Sequence, residues 1–342
     1  TGIGRKRAML VGFVGIALSR LSVSLAPQRW AIGAAYLLSG ALSPLFMASL
    51  APFLTENSRP EQRSTLFTFS AALTNLGSFL GTTGGGYLPG LLAPMLRTGP
   101  ESVQAYRSVM ALAAGILLLG IFPILLFEPR PAGTPSQVHR PRPAGWRSSN
   151  LGLLLKLVLP GLLVSFGASL VFPFLNVYFK RRFAVSDATL GWILGMTGLM
   201  AVPTMLIGGP VADRLGKIKT MFFGRLLSTP LMLAVGLIPS LPVAVGAHWL
   251  RSGFMRLGDP LFRSFAMERL PKEERATGAS LMSMSGEAGG ALAPLVSGLV
   301  QVRLGFTPLF WGTTLAYTLG LIAVWGFFMR PGRAARATTA ID

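Results

Sequence analysis

The twenty residues SVMALAAGILLLGIFPILLF, 108–127, carry no charged side chain. A helix needs about 20 mostly apolar residues to cross the hydrocarbon core of a bilayer. Inside that core each backbone N–H and C=O has to be satisfied by the segment itself or by its neighbours, which is why Gly and Pro are tolerated there. The stretch reads as a membrane span. Working outward from it, ten segments qualify: 8–25, 31–54, 64–91, 103–127, 151–179, 187–212, 218–238, 243–266, 275–301 and 306–329. They lack sustained two-residue alternation and are too long to be barrel strands. The fold class is all-α, a polytopic membrane protein.

Composition points the same way. Of 342 residues 51% are apolar and only 13% charged, about half the charged share of a soluble domain. A net charge of +19 would suggest a nucleic-acid partner in a soluble chain. Its placement argues otherwise. If residue 1 is cytoplasmic, 19 of the 31 Lys and Arg fall in or beside one set of connecting segments, 7 in the opposite set and 5 within spans. Such an excess marks cytoplasmic loops. It places both termini in the cytoplasm, in a plasma (inner) membrane, with the bilayer as partner and no nucleic acid. Lys180, Arg181 and Arg182 alone form a basic cluster on the far side. There is no Cys, and the two His are His139 and His248, so disulfides, thiolate chemistry and a His-based metal site are excluded. No metal or cofactor is expected, and the chain is expected to be a monomer.

The chain also repeats itself at an offset of 212 residues. Gly4, Met9, Gly12, Glu56, Arg63, Gly77 and Gly86 return as Gly216, Met221, Gly224, Glu268, Arg275, Gly289 and Gly298. The first four segments thereby correspond to the last four. The Pro- and Arg-rich stretch 129–150 reads as a cytoplasmic linker joining an N-terminal half, 1–128, to a C-terminal half, 151–342. Segments 151–179 and 187–212 are left without counterparts. The expectation is a parent of twelve helices in a 6+6 arrangement, of which this chain lacks about two at its N-terminus.

At 209–219 the sequence reads GPVADRLGKIK. This resembles the loop signature of the major facilitator superfamily, G-x-x-x-D-R-x-G followed by basic residues, at Gly209, Asp213, Arg214, Gly216, Lys217 and Lys219; Ile218 departs from the basic run. Gly4, Arg5, Lys6 and Arg7 supply the tail of the same signature. Gly77-x-x-x-Gly81-Thr82-x-x-Gly85-Gly86 resembles the exporter-associated motif of that family, with Thr82 where Pro is usual. Small residues four apart also simply permit close helix packing. The resemblance implies a twelve-helix transporter in which 1–128 holds the equivalents of helices three to six and 151–342 those of seven to twelve. It implies a conformational latch as well: Asp213 facing the start of the helix near Ser64, where the helix dipole favours an anion, and Arg214 pairing with Glu268. Glu56–Arg63 and Glu268–Arg275 would be symmetric supports.

Ionisable groups at membrane depth are costly and lean towards function. Segment 243–266 carries Arg251, Arg256, Asp259 and Arg263, and segment 275–301 carries Glu287. The i, i+3 and i, i+4 spacings put Arg256, Asp259 and Arg263 on one face. Arg251, Arg256, Asp259 and Glu287 are read as a cluster beside a substrate path, with Glu287 as proton carrier; the competing reading is a static ion-pair network. Arg263 snorkels. Arg20 and Arg225 are assigned structural roles. Asn75, the repeat partner of Glu287, and Asn176 and Tyr178 near the outer end of segment 151–179 are further lining candidates. Segment 31–54, the partner of 243–266, offers only Ser39, Ser43 and Ser49.

The function expected is secondary active transport of a small molecule by alternating access, proton-coupled and leaning to efflux, and not an enzyme. A membrane sensor or scaffold on the same fold, or a uniporter without proton coupling, are the alternatives.

Overall fold

The computed structural model describes residues 5–26, 28–59, 62–126, 151–271 and 273–330; the expected linker at 129–150 lies outside them. All ten predicted segments are helical. In order they form α1 (Arg5–Leu25), α2 (Arg29–Glu56), α3 (Arg63–Leu92), α4 (Val103–Leu119) with its continuation α5 (Ile121–Leu126), α6 (Leu151–Val171), α7 (Leu175–Phe183), α8 (Asp187–Leu215), α9 (Lys217–Leu237), α10 (Leu241–Arg269), α11 (Arg275–Leu304) and α12 (Thr307–Val324). A 3-10 turn at Phe172–Phe174 joins α6 to α7, where Pro173 withholds an N–H, and a π-turn, Trp325–Met329, ends α12.

Among the described residues seven stretches are long and apolar enough to cross a membrane; α3, α10 and α11 are 30, 29 and 30 residues long but not apolar enough. The reason lies in their residues. Helices α3 and α11 are rich in Gly, Ser and Thr, and the middle of α10 holds its ionisable groups.

The chain divides into two compact units, residues 1–138 with 187–192, and 139–186 with 193–342. In the first, α1 packs on α2 and α4, and α3 on α4. Arg107 donates to the Ala26 carbonyl at the end of α1, 2.7 Å. In the second, α9 packs on α10 and α12, and α6 on α11 and α12. Its buried core includes Leu154, Leu157, Met221, Phe262, Phe265, Leu270 and Val324. Hydroxyls tie the α6 side: Ser165 donates to the Gly286 carbonyl (2.6 Å) and Thr313 to that of Gly167 (2.8 Å).

The repeat extends to helix boundaries. Arg5 and Leu25 bound α1 where Lys217 and Leu237, each 212 residues on, bound α9; Arg63 and Leu92 of α3 map likewise onto Arg275 and Leu304 of α11. Helix α2 starts 212 residues before α10. The same glycine closes both crossings. A Cβ on Gly12 would lie 3.0 Å from the Leu42 carbonyl oxygen, and one on Gly224 would lie 3.2 Å from that of Phe254, the repeat position of Leu42.

Candidate functional site

Helix α10 organises the polar interior of the second unit. Its first half is held to α8 by two side-chain bonds: Trp249 Nε1 donates to the Ile193 carbonyl at 2.9 Å, and His248 Nε2 lies 3.0 Å from Thr197 Oγ1. Arg251 follows His248 by three residues and is 3% exposed. It donates to the Tyr317 hydroxyl of α12 at 2.7 Å, and its guanidinium carbon sits 4.3 Å from the centre of the Phe172 ring. Among the described residues its buried Nε has no partner. Among the described residues no carboxylate pairs with Arg251. A desolvated cation resting on aromatic faces, with donor capacity unspent, attracts an anion.

Two turns further, Asp259 accepts from Arg225 Nη2 of α9 at 2.9 Å. Here the structure corrects the sequence reading. Asp259 was expected among Arg256 and Arg263 on its own helix, yet both are exposed and make no described bond to it. Burial explains the choice: the Arg225 side chain is 8% exposed, and a buried guanidinium without a counter-charge costs several kcal/mol, whereas exposed arginines are solvated. Glu287 on α11 is exposed and makes no hydrogen bond or ion pair among the described residues. Arg256, Asp259 and Glu287 are therefore not joined into one cluster in this structure.

The remaining lining candidates separate. Asn75 borders a cavity of about 330 Å³ in the first unit, with Met47, Leu50 and Leu54 of α2 and Phe67 and Thr74 of α3. Asn176 is exposed and accepts from the Val177 N–H. Tyr178 is 3% exposed and donates to the Val235 carbonyl at 2.7 Å, among Phe179, Phe183, Phe306 and Phe310. It locks α7 to the end of α9.

In the α8–α9 turn Gly216 takes φ +84°, a conformation that other residues rarely adopt, and it lets the chain reverse after Leu215. Gly209 lies within α8 with open space at its Cβ position. Asp213 and Arg214 are exposed without described partners, as is Lys219. The expected Arg214–Glu268 pair does not form. Lys217 Nζ bonds both the Glu268 carboxylate and Ser264 Oγ, the latter at 2.9 Å. That ammonium holds the Glu268 carboxyl below its usual range. Arg275 donates to the Leu270 carbonyl at 3.2 Å instead of meeting Glu268. The side chains of Glu56, Arg63 and Ser64 lie outside the described ones.

Arg225 is given a structural role by the sequence; what sequence reasoning missed was its pairing with Asp259. The signal was present: at the 212 offset Arg225 replaces Phe13 and Asp259 replaces Met47, two departures that meet in space.

Known proteins bear on this arrangement. The family model described as Major Facilitator Superfamily matches residues 2–164 and again 157–341. A multidrug resistance protein MdtH of Proteus mirabilis is 28% identical over 144 residues, 41% of this chain and 35% of that protein. A maltose permease of Geobacillus stearothermophilus is 25% identical over 155 residues, 45% of this chain and 39% of the permease. The chain thus matches well under half the length of these relatives. Among solved structures, a bacterial homologue of the iron transporter ferroportin, inward-facing, superposes with a TM-score of 0.68 at 15% identity, covering 95% of this chain and 83% of the other. A bacterial homologue of the lysosomal transporter Spinster gives 0.67 at 14% identity, over 93% and 78%. These last two likenesses concern the fold.

Proposed function

The chain belongs to the major facilitator superfamily, and from that premise we propose that its full polypeptide is a secondary transporter that moves a small molecule by alternating access, coupled to protons and directed outward. The observation that carries the reading is the 212-residue repeat of membrane helices, the construction on which alternating access is built. Among the described residues the buried arginines lie in its second copy. Arg251, buried without a counter-ion, and the Arg225–Asp259 pair stand on α9 and α10; Glu287 on α11 is the proton carrier; Arg256 lies along the same path. Asn75 provides a polar lining position in the first copy. Asp213 and Arg214 serve as the latch, formed in one access state and open in the other. Both chain ends face the cytoplasm.

The repeat positions on α3 and α11 differ in what they meet. A Cβ on Gly289 would lie 2.7 Å from the Phe166 backbone nitrogen of α6, whereas nothing described lies within 4 Å of one on Gly77.

The relatives suggest two probes, a lipophilic cationic dye such as ethidium and maltose. In inverted membrane vesicles carrying the full polypeptide, an acid-inside gradient drives dye accumulation, and collapsing the gradient abolishes it. Flux of either probe that ignores the gradient would remove proton coupling and leave a uniporter. Absence of any flux would favour a sensor on this fold.

A further inference from the structure

The basic cluster Lys180-Arg181-Arg182 is not used by the transport reading, and it runs against the charge distribution of the other connecting segments. Its surroundings give it a role. Helix α7 ends there: Ala184 adopts φ +51°, and its N–H closes on the Lys180 carbonyl at 3.0 Å. Arg181 and Arg182 border a cavity of about 260 Å³, completed by Tyr178, Gly236, Leu237, Phe306 and Thr307. The lining residues come from the ends of three membrane-length stretches, Leu151–Phe183, Lys217–Leu237 and Thr307–Met329, and from Phe306 just before the last of them. The cavity therefore opens where hydrocarbon gives way to headgroups. Both arginines are exposed, and neither makes an ion pair among the described residues. The first turn of α12 begins at Thr307 on the cavity wall, adding the favourable end of a helix dipole.

We propose that this cavity binds the phosphate of an anionic phospholipid headgroup. Two adjacent guanidiniums present forked donors that match phosphate oxygens. Phe306 and Leu237 supply the apolar wall against which the glycerol and the first acyl carbons lie. The volume falls short of the roughly 300–1,000 Å³ of drug-sized sites, in keeping with a headgroup. The bilayer holds such lipids at the depth of the span ends, whereas free phosphate would have to be captured from solution without the apolar wall contributing. The occupied site would join α7, α9 and α12, three helices of the second unit, through one ligand. This goes beyond the transport reading and does not depend on it.

The test uses the full polypeptide, purified in detergent and stripped of lipid, with thermal unfolding followed as phosphatidylglycerol, phosphatidylcholine or sodium phosphate is added. Phosphatidylglycerol raises the midpoint by several degrees with saturation, and the other two do not. The Arg181→Gln/Arg182→Gln double variant needs at least tenfold more phosphatidylglycerol for half the shift. Arg97→Gln, a basic residue of another loop, leaves the titration unchanged. Arg181→Lys/Arg182→Lys, which keeps the charge and loses the fork, falls in between. Native mass spectrometry of retained phosphatidylglycerol gives a readout independent of stability. An equal shift with phosphatidylcholine, an unchanged titration in the double Gln variant, or full stabilisation by sodium phosphate would each overturn the proposal; the last would indicate a free-anion site.

Discussion

The α1–α2 and α9–α10 crossings are the same structure with different chemistry. Each is closed by a glycine against a carbonyl at the same repeat position, Gly12 against Leu42 and Gly224 against Phe254. Beside that contact the first copy packs Phe13 against Phe46 with the rings tilted by 48° and their centres 5.3 Å apart. In the second copy Arg225 stands in the place of Phe13, and Gly258 in the place of Phe46. A Cβ on Gly258 would come within 3.4 Å of Arg225 Nε, so losing the Phe46 ring makes room for the guanidinium. Asp259, at the position of Met47, supplies its counter-charge. At these two crossings the residue that repeats carries the backbone geometry, and those that break the repeat, Arg225 and Asp259, carry the charge.

The largest effect should come from testing the shared glycine face of α3 and α11. Gly289→Val forces its Cβ into the α6 backbone at 2.7 Å and should cost about 3 kcal/mol or more, at or beyond the top of the usual overpacking range. Gly77→Val, its repeat equivalent in this 342-residue chain, should be neutral within about 0.5 kcal/mol, because only helix propensity changes. Thermal unfolding in detergent distinguishes them; equal losses would break the comparison.

Next comes the ion pair. Asp259→Ala leaves Arg225 buried and unpaired, at a cost of about 2 kcal/mol. That is below the roughly 3–5 kcal/mol of a fully buried pair, since the Asp259 side chain is 65% exposed. Transplanting the first copy's residues, Arg225→Phe with Asp259→Met, should recover most of that stability in a denaturant titration. A double variant as unstable as the single one would show that the two crossings are not interchangeable.

Tyr317→Phe removes the one described hydrogen bond from Arg251 and should cost about 1.5 kcal/mol, the low end for a bond to a charged group. A change within error would mean that the Phe172 ring alone holds the guanidinium.

The smallest effect belongs to Glu268. Its carboxyl is held below its ordinary range by Lys217. The pair therefore stabilises the fold above the unfolded carboxyl's pKa, and the gain disappears as pH falls through the lower folded value. Glu268→Gln should flatten that acid limb slightly, and high salt should mimic it. An acid limb unchanged by the substitution would contradict the pairing.

Much of this was legible beforehand. Apolar length revealed the helices, since lipid permits few alternatives. The 212-residue offset anticipated the boundaries of α9 and α11. Glycines at close crossings repeat because backbone contact tolerates nothing else there. Side-chain partners were less legible. Local spacing suggested that Asp259 would choose among Arg256 and Arg263, but the choice depended on which arginine the fold buries, and that is a property of α9 packing on α10. Glu268 likewise took Lys217 in place of Arg214 through the turn at Gly216. Tyr178 has the composition of a lining residue and the surroundings of a packing one, which only the aromatic neighbours from α7, α12 and the α11–α12 turn reveal.

The central claim is that the departures from the repeat do the work. Glu287→Asn tests it most directly, since it gives α11 the residue that α3 carries as Asn75. In inverted vesicles containing the full polypeptide, the account predicts that this variant folds normally, retains binding of ethidium, and loses ethidium accumulation driven by the pH gradient. Gradient-driven accumulation at the parent rate would contradict it.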